Sequence, residues 1–488
     1  MQEIVDWLNG IIWSNALIFL CLGAGLFFSI LTRFVQVRLF KEMIRLLFSS
    51  KESERGISSF QALAVSLSGR VGTGNIAGVA AAIGFGGPGA VFWMWVVAFL
   101  GASTAYVESA LGQIYKEEDE GQYRGGPAFY IEKAMGQKWY AWIFAITTII
   151  ATGLLLPGVQ SNSIGNAAEL AFGGETIINF LGDSISATKV TTAVIVVSVL
   201  GFIIFGGVKR IAHFTQIVVP FMALGYIVMA IGIIAFHVAD LPDILALIVK
   251  DAFTPMAGVG AAIGWGVKRG VYSNEAGQGT GPHAAAASEV QHPAQQGLVQ
   301  AFSVYIDTLF VCSATAFMIL ITNQYYVTGV EVTESGGMLS NDILANSPAF
   351  TQYALESVMG GFGKTFVAVA LFFFAFTTLL AYYYIAETNV AYIRRTFRFP
   401  GEIIILKLAL MTSVFYGTIR SADLAWALGD VGVGIMAWLN IIGILILFLM
   451  GSPALRALKD YERQRKEGVT TYTFNPKELG IRNADFWE

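Results

Sequence analysis

Charged side chains are scarce in this sequence. Only 13% of its 488 residues are Asp, Glu, Lys or Arg, and 55% are hydrophobic, with a mean hydropathy of +0.63. Soluble domains contain about 25% charged residues. A chain with so little charge cannot present a soluble surface, so the composition predicts an all-α polytopic membrane protein.

Residues that bind metals or form disulfides are also rare. The two cysteines, Cys21 and Cys312, lie within apolar segments, and the four histidines show no metal-ligand spacing. We therefore expect neither a disulfide framework nor a metal cluster. The sequence also lacks a phosphate-binding loop, a nucleophile triad and a nucleic-acid signature. These absences argue against an enzyme, an organic cofactor and a nucleic-acid partner.

Long apolar segments, by contrast, are abundant. A segment of about 17–25 apolar residues is long enough to cross a bilayer as a helix. Eleven such spans are predicted, at about 13–31, 60–84, 89–115, 139–172, 190–207, 213–236, 257–286, 297–322, 363–387, 402–419 and 430–450.

Basic residues are unevenly distributed between the loops. They concentrate in loops 32–59, 116–138, 208–212 and 394–398 and in the tail, whereas the alternate loops hold only Lys189, Lys250, Lys364 and Arg420. Because basic loops remain in the cytoplasm, the N-terminus is predicted outside and the C-terminus inside a prokaryotic-type plasma membrane. The tail is predicted to form a short surface helix followed by a disordered end.

Two spans contain polar interruptions, one at Ser68–Gly78 and one within Gly258–Gly281. An unpaired backbone group in hydrocarbon costs several kcal/mol, so such breaks face protein or a wet cavity, which in transporters holds substrate and ion. Close packing through small residues is the alternative. Without the first span, the broken spans are numbers one and six of ten, which predicts two inverted five-helix repeats. The predicted units are an extra N-terminal helix (1–35), the repeats (58–236 and 252–450) and the tail (451–488).

Polar side chains mark further candidates within the spans. Gln160, which follows Pro157, either lines a substrate site or ties helices together. Thr377 and Thr378 either supply hydroxyl oxygens to a hard cation such as Na⁺ or bond to the preceding turn. Tyr382 lies about one turn further along.

Ionisable residues inside spans are functional candidates by default. Arg70 is predicted to pair with Glu275 or Glu387 as a cytoplasmic gate. Structural ion pairs and a proton relay through Glu108, Asp307 or Glu387 are the alternatives.

Three motifs resemble the alanine/glycine:cation symporter family. They are Gly72–Val79, Gly86–Trp95 and Trp265–Gly277, and Gly125-Gly126-Pro127 also fits. The resemblance covers about residues 13–450. It implies the leucine-transporter-type fold, which has ten core helices in two inverted repeats, and it leaves the first span as an addition.

The resemblance also implies roles for particular residues. The stretch from Ser68 to Asn75 corresponds to an unwound helix, whose N–H groups at Thr73 and Gly74 would hold a substrate carboxylate. The positions implied for Na⁺ are Ser68, Val71, Phe374, Thr377 and Thr378, and those implied near the amino acid are Asn75, Gln160, Trp265, Asn274 and Tyr382. Two departures are Arg70, where the wider group has a small residue, and Tyr382, where some family members have Trp.

Together these features predict a secondary transporter that takes up a small neutral amino acid with Na⁺. Its partners would be this substrate and the membrane lipid. A proton-coupled carrier using intramembrane carboxylates is one alternative, and a channel is an alternative of another class.

Overall fold

A computed structural model describes residues 2–48, 56–180, 183–254, 258–331 and 336–488 of the chain. The fold is almost entirely helical. The helices of the first half are α1 Gln2–Ile12, α2 Asn15–Leu31, α3 Val35–Arg38, α4 Phe40–Phe48, α5 Ser59–Arg70, α6 Val79–Gly86, α7 Ala90–Ile114, α8 Pro127–Met135, α9 Lys138–Ile150, α10 Leu156–Phe172, α11 Ala187–Ile204 and α12 Gly207–Phe236. Those of the second half are α13 Leu241–Phe253, α14 Val259–Asn274, α15 Gly281–Ala287, α16 Pro293–Val304, α17 Ser313–Ile321, α18 Ala349–Met359, α19 Gly363–Arg394, α20 Glu402–Ile419, α21 Ala422–Leu449 and α22 Pro453–Lys466.

Three π-helical segments and two short hairpins complete the described architecture. The π-helical segments are Gly74–Gly78, Ala151–Leu155 and Tyr305–Cys312. The antiparallel hairpins pair β1 (Glu117–Asp119) with β2 (Gln122–Arg124), and β3 (Ile177–Phe180) with β4 (Asp183–Ser186). Each π-helical segment directly joins a neighbouring α-helix, and such segments often occur at functional sites.

Eight helical segments among the described residues are long and apolar enough to cross a membrane. A ninth arises if α1 and α2, which are bent by 42°, count as one span. The two broken segments, 59–86 and 259–287, consist of helices too short to pass the same test individually. The chain is therefore a multi-pass helical membrane protein.

The N-terminal helix pair is anchored to α21 by its polar groups. Asn9 Nδ2 donates to Ala427 O and Trp13 Nε1 donates to Asp430 O, both at 2.8 Å. Trp438 Nε1 donates back to Ile12 O at 3.0 Å. The bond from Trp438 satisfies a backbone carbonyl at the bend between α1 and α2, and the other two bonds reach backbone carbonyls of α21.

The turn before α7 is more tightly packed than its glycines suggest. Gly89 N donates to Asp251 Oδ2 at 2.7 Å, and a Cβ at Gly89 would overlap Ala252 N. The Gly-rich segment before α7 therefore allows close contact with α13 as well as a turn.

The C-terminal tail is ordered beyond α22, so the predicted disordered end was wrong. Tyr472, Phe474, Ile481 and Ala484 are buried, and a single 3₁₀ turn spans Asp485–Trp487. The charge of the tail suggested disorder, but its aromatic and aliphatic side chains gain more from burial than the chain loses in entropy.

Candidate substrate and ion site

The first break is shorter than the sequence suggested. α5 continues to Arg70, and only Val71 and Gly72 leave the helical path before the π-helical segment begins. Gly72 N donates to Asn75 Oδ1 at 2.8 Å, and Thr73 N donates to Gln160 Oε1 at 3.0 Å. Side chains therefore satisfy the backbone N–H groups that the interrupted helix leaves without helical partners.

Three oxygen atoms of the predicted ion site converge beside this break. Thr378 Oγ1 lies 2.7 Å from Ser68 O and 3.0 Å from Phe374 O. A Cβ at Gly72 would overlap Thr378 Oγ1. Val71 is fully buried next to Gly72. Carbonyl and hydroxyl oxygens gathered in this way suit a hard monovalent cation.

Thr377 points in a different direction from Thr378. Its Oγ1 lies 3.0 Å from both Phe373 O and Phe374 O, which is the back-bonding arrangement, and 3.8 Å from Met222 Sδ on α12. The two adjacent hydroxyls are therefore not equivalent. Only that of Thr378 contacts the first broken helix in this structure.

The second break lies between α14 and α15. Glu275 has a left-handed backbone conformation, with φ of 57°, and Gly277 and Gly279 also have positive φ. Asn274 Oδ1 accepts from Ala276 N at 3.0 Å, and Asn274 Nδ2 lies 3.4 Å from Thr308 Oγ1. The Asn274 side chain thus forms an Asx turn with the backbone that follows α14.

Glu108 holds the second break from α7. Its carboxylate accepts from Gly277 N at 3.3 Å, from Gly279 N at 3.2 Å and from Asn440 Nδ2 at 2.6 Å. These three bonds stabilise the unwound backbone and fix the carboxylate against it. The geometry gives Glu108 a structural function at the break.

Asp307 joins the two broken segments, a role that sequence reasoning missed. Its Oδ1 accepts from Asn75 Nδ2 at 2.6 Å and Ser273 Oγ at 3.0 Å, and its Oδ2 accepts from Thr308 Oγ1 at 2.7 Å. The only sequence signal was a lone acidic residue in an apolar span. Asn75, which the family resemblance implies near the amino acid, therefore contacts Asp307 in this structure.

Gln160 and Tyr382 lie near one another beside the first break. Tyr382 is buried and interacts electrostatically with Glu275, Tyr272 and Gln160. The hydroxyl of Thr73 is buried without a hydrogen-bond partner among the described residues. An unpartnered polar atom beside a fully buried amide is suited to a small polar ligand.

Trp265 borders an open vestibule on the side of α1. The vestibule has a volume of about 580 Å³ and is lined by Asp6, Asn346 and Asp423 as well as Trp265. Trp265 stacks on Phe85 with ring centroids 4.6 Å apart. Trp265 is thus a wall residue of the vestibule.

Three charged residues, Lys268, Arg269 and Asp430, form ion pairs along the wall of this vestibule. Arg269 donates two hydrogen bonds to Asp430, at 2.9 and 2.8 Å, and Lys268 lies 2.7 Å from the same carboxylate. The guanidinium of Arg269 also lies 4.5 Å from the Trp426 ring centroid. Sequence reasoning did not identify Asp430, the acidic partner that these two basic residues share.

Among the described residues, no hydrogen bond or ion pair joins Arg70 to Glu275 or Glu387, although the charges of Arg70 and Glu275 interact. Arg70 Nη1 donates to Gln300 O at 2.9 Å and also contacts Ser303. Glu275 Oε2 instead accepts from Thr280, and Glu387 lies 3.5 Å from Arg124 of β2. Arg70 extends toward α16, whereas Glu387 on α19 faces the hairpin, so the predicted Arg70–Glu387 contact is absent.

Comparison with known proteins identifies the family of this chain. The sequence profile of the sodium:alanine symporter family matches residues 1–475. The YrbD protein of Bacillus subtilis (strain 168) is 57% identical, with 100% of this chain and 98% of the relative covered. The sodium/proton-dependent alanine carrier protein of Bacillus sp. (strain PS3) is 49% identical over 91% of this chain and 97% of that relative.

A less similar relative also matches most of this chain. The sodium/alanine symporter AgcS of Methanococcus maripaludis is 34% identical, with 91% of this chain and 94% of the relative covered. The polar breaks and oxygen cluster described above thus occur in a chain whose full length matches transporters. The chain belongs to the sodium:alanine symporter family and is a membrane transporter rather than an enzyme.

Proposed function

We propose that this protein carries alanine or glycine into the cell together with Na⁺ by alternating access. The names of the relatives from Bacillus sp. and Methanococcus maripaludis support alanine as substrate and sodium as a coupling ion. The site lies at a break between buried helices, which is where such transporters bind their cargo.

The observation that carries this proposal is the approach of the Thr378 hydroxyl to the Ser68 and Phe374 carbonyls. Val71 O and Thr377 Oγ1 complete the proposed Na⁺ ligand set. Thr377 would need a different rotamer to join it, because its hydroxyl now bonds back to its own helix. Binding of Na⁺ would then join the first broken helix to α19.

The proposed substrate site adjoins the ion site. The N–H groups of Thr73 and Gly74 would bind the carboxylate of the amino acid, in place of the Gln160 oxygen that now accepts from Thr73. The displaced Gln160 amide would contact the substrate through its own N–H group. Asn75, Asn274, Tyr382 and Trp265 are proposed to complete the surroundings, and their bulk would favour a small side chain.

The proposed architecture has eleven spans, with an extra N-terminal helix (1–35), two inverted repeats (58–236 and 252–450) and a cytoplasmic tail (451–488). Nine apolar spans together with the two broken segments support this count. The distribution of basic residues supports an external N-terminus. In this orientation the vestibule beside Trp265 opens to the outside.

Proton coupling is the second candidate, and one observation favours it. Asp307 is a fully buried carboxylate in contact with Asn75 and Ser273, one residue from each broken segment. Intramembrane acids at such positions occur in proton relays. The Bacillus sp. relative is named for both sodium and proton dependence.

Uptake by the purified protein in proteoliposomes tests these proposals. We expect saturable accumulation of labelled alanine that requires a Na⁺ gradient and is lost when choline replaces Na⁺. Competition by glycine, but not by leucine, would support a small site. Accumulation driven by a pH gradient alone would favour the proton-coupled carrier, and unsaturable flux without accumulation would indicate a channel.

A further inference from the structure

The last residues of the tail cover a buried lysine at the end of α7. Lys116 Nζ donates to Ser288 O at 2.8 Å and lies 4.6 Å from the Tyr123 ring centroid. The rings of Phe486 and Trp487 lie over the same amine, at 4.4 and 5.3 Å. Three aromatic rings thus enclose the Lys116 amine and remove it from water. We call Lys116, Tyr123, Phe486 and Trp487 the lysine cage.

Further contacts fix the tail around this cage. Trp487 Nε1 donates to Gln113 O at 3.0 Å, and Asn483 Nδ2 donates to Lys133 O at 2.7 Å. Phe474 packs edge-on against Trp487, with centroids 5.2 Å apart. The tail thus contacts both α7 and α8.

The cage is connected to both broken segments. Ile57, just before α5, donates to Ala287 O at the end of α15 at 3.0 Å and accepts from Glu289 N at 3.1 Å. A Cβ at Gly56 would lie 2.8 Å from the Tyr123 ring, so the ring packs closely on the chain entering α5. The cage therefore contacts the point where the two broken segments pair.

We propose that residues 483–488 form a latch that closes the cytoplasmic side of the transporter by binding the lysine cage. In alternating access, the inner half of the first broken segment must separate from its neighbours to release substrate. Release of the tail from Lys116 and Tyr123 would free the paired ends of α5 and α15. This inference rests on the proposed orientation and on alternating access.

A cysteine reporter tests the latch directly. Ser66 is buried on α5 and borders a small cavity of about 10 Å³ shared with Glu275 and Tyr384. In inverted membrane vesicles, Trp487→Ala should increase the labelling rate of Ser66→Cys by an impermeant thiol reagent roughly 5–10-fold. Alanine exchange should accelerate in the same variant, and Trp487→Phe should restore most of the closure.

Two controls separate a latch from a general loss of stability. Phe397→Ala removes an exposed aromatic side chain from another cytoplasmic loop and should leave labelling unchanged. The chain without Ser66→Cys reports background from the two native cysteines, which are buried. Unchanged labelling and exchange in well-inserted Trp487→Ala protein would overturn the latch. Labelling from the opposite side of the membrane would instead overturn the proposed orientation.

Discussion

At the scale of single residues, neighbouring side chains of the same type have different surroundings. The hydroxyl of Thr378 reaches the Ser68 carbonyl on another helix, whereas that of Thr377 bonds to carbonyls of its own helix. Gly72 and Gly74 are likewise distinct, because a Cβ at Gly72 would enter the oxygen cluster and one at Gly74 would press on Ser273. The effect of a substitution therefore depends on where the side chain points as well as on its position in the sequence.

Thr378→Val should raise the Na⁺ concentration for half-maximal alanine uptake by about tenfold, because it removes a proposed ligand oxygen worth roughly 1–2 kcal/mol. Thr377→Val should have a smaller effect. Thr388→Val is the matched control, since Thr388 is a buried threonine of the same helix that bonds to Tyr384 O. Equal Na⁺ dependence in all three variants would argue against an ion site at Thr378.

Gly72→Ala should abolish Na⁺-dependent uptake, because its methyl group would overlap Thr378 Oγ1 and lie 2.9 Å from Gln160 Oε1. Gly74→Ala should also impair uptake, through the contact of the two broken segments. Gly225→Ala on α12, where a Cβ meets no atom within 4 Å, is the control. Normal uptake by Gly72→Ala would place the cation elsewhere.

At the scale of helices, the breaks are held by side chains from other elements. Glu108 of α7 binds the backbone of the second break, and Asp307 contacts both broken segments. The backbone at Gly89, just before α7, packs equally closely against α13. A glycine-rich turn is therefore not always a tolerant position.

Gly89→Ala should destabilise the protein by about 1–3 kcal/mol, the usual cost of overpacking. The added methyl group would overlap the backbone at Ala252 and disturb the bond from Gly89 N to Asp251. Thermal unfolding in detergent should show a lower midpoint than for Gly232→Ala, which has free space around its Cβ. Equal midpoints would contradict the observed packing.

At the scale of the whole molecule, the tail connects elements that are distant in sequence. Glu462 of α22 pairs with Arg33 and Arg38 beyond α2, while Asp460 contacts His292 before α16. The same tail then reaches the lysine cage through Phe486 and Trp487. The C-terminal segment is thus part of the folded structure.

Docking of the tail should weaken as the pH falls from about 10 to about 7, where Lys116 takes up a proton, and again below about 6.5, where undocked His292 does so. Burial lowers the pKa of Lys116 to about 7, although Glu289 opposes this, and Tyr123 also faces the amine. Burial likewise lowers the pKa of His292, more than Asp460 raises it, and Tyr461 lies against the same ring. Once undocked, both groups would bind protons more readily, so acid favours release.

A spin label at exposed position 478 provides the measurement for this pH effect. The mobile fraction of the spin label should rise on acidification. It should change less with pH in a His292→Gln variant. Asp460 does not contribute in this range. Burial opposes its ionisation, but hydrogen bonds from His292, Arg463 and Gln464 lower its pKa to about 2. A mobile fraction that is independent of pH would contradict the prediction.

Orientation is a separate prediction for the whole molecule. A cysteine at position 2 should react with an impermeant thiol reagent applied to intact cells, whereas a cysteine at position 467 should react only after the membrane is opened. The physical reason is the concentration of basic residues in one set of loops. The reverse pattern would place the vestibule beside Trp265 on the cytoplasmic side.

The sequence by itself determined the membrane class, the family motifs and the positions of both breaks, because apolar length and glycine-rich interruptions are local properties of the chain. It also suggested Gln160, Thr377 and Thr378 as candidates, because they stand out as polar residues in apolar spans. Only the tertiary structure decided that Asp307 joins the broken segments, that Asp430 binds both Lys268 and Arg269, and that the tail covers Lys116. These contacts join residues far apart in the chain, and their partners depend on helix packing and side-chain direction, which no local pattern encodes.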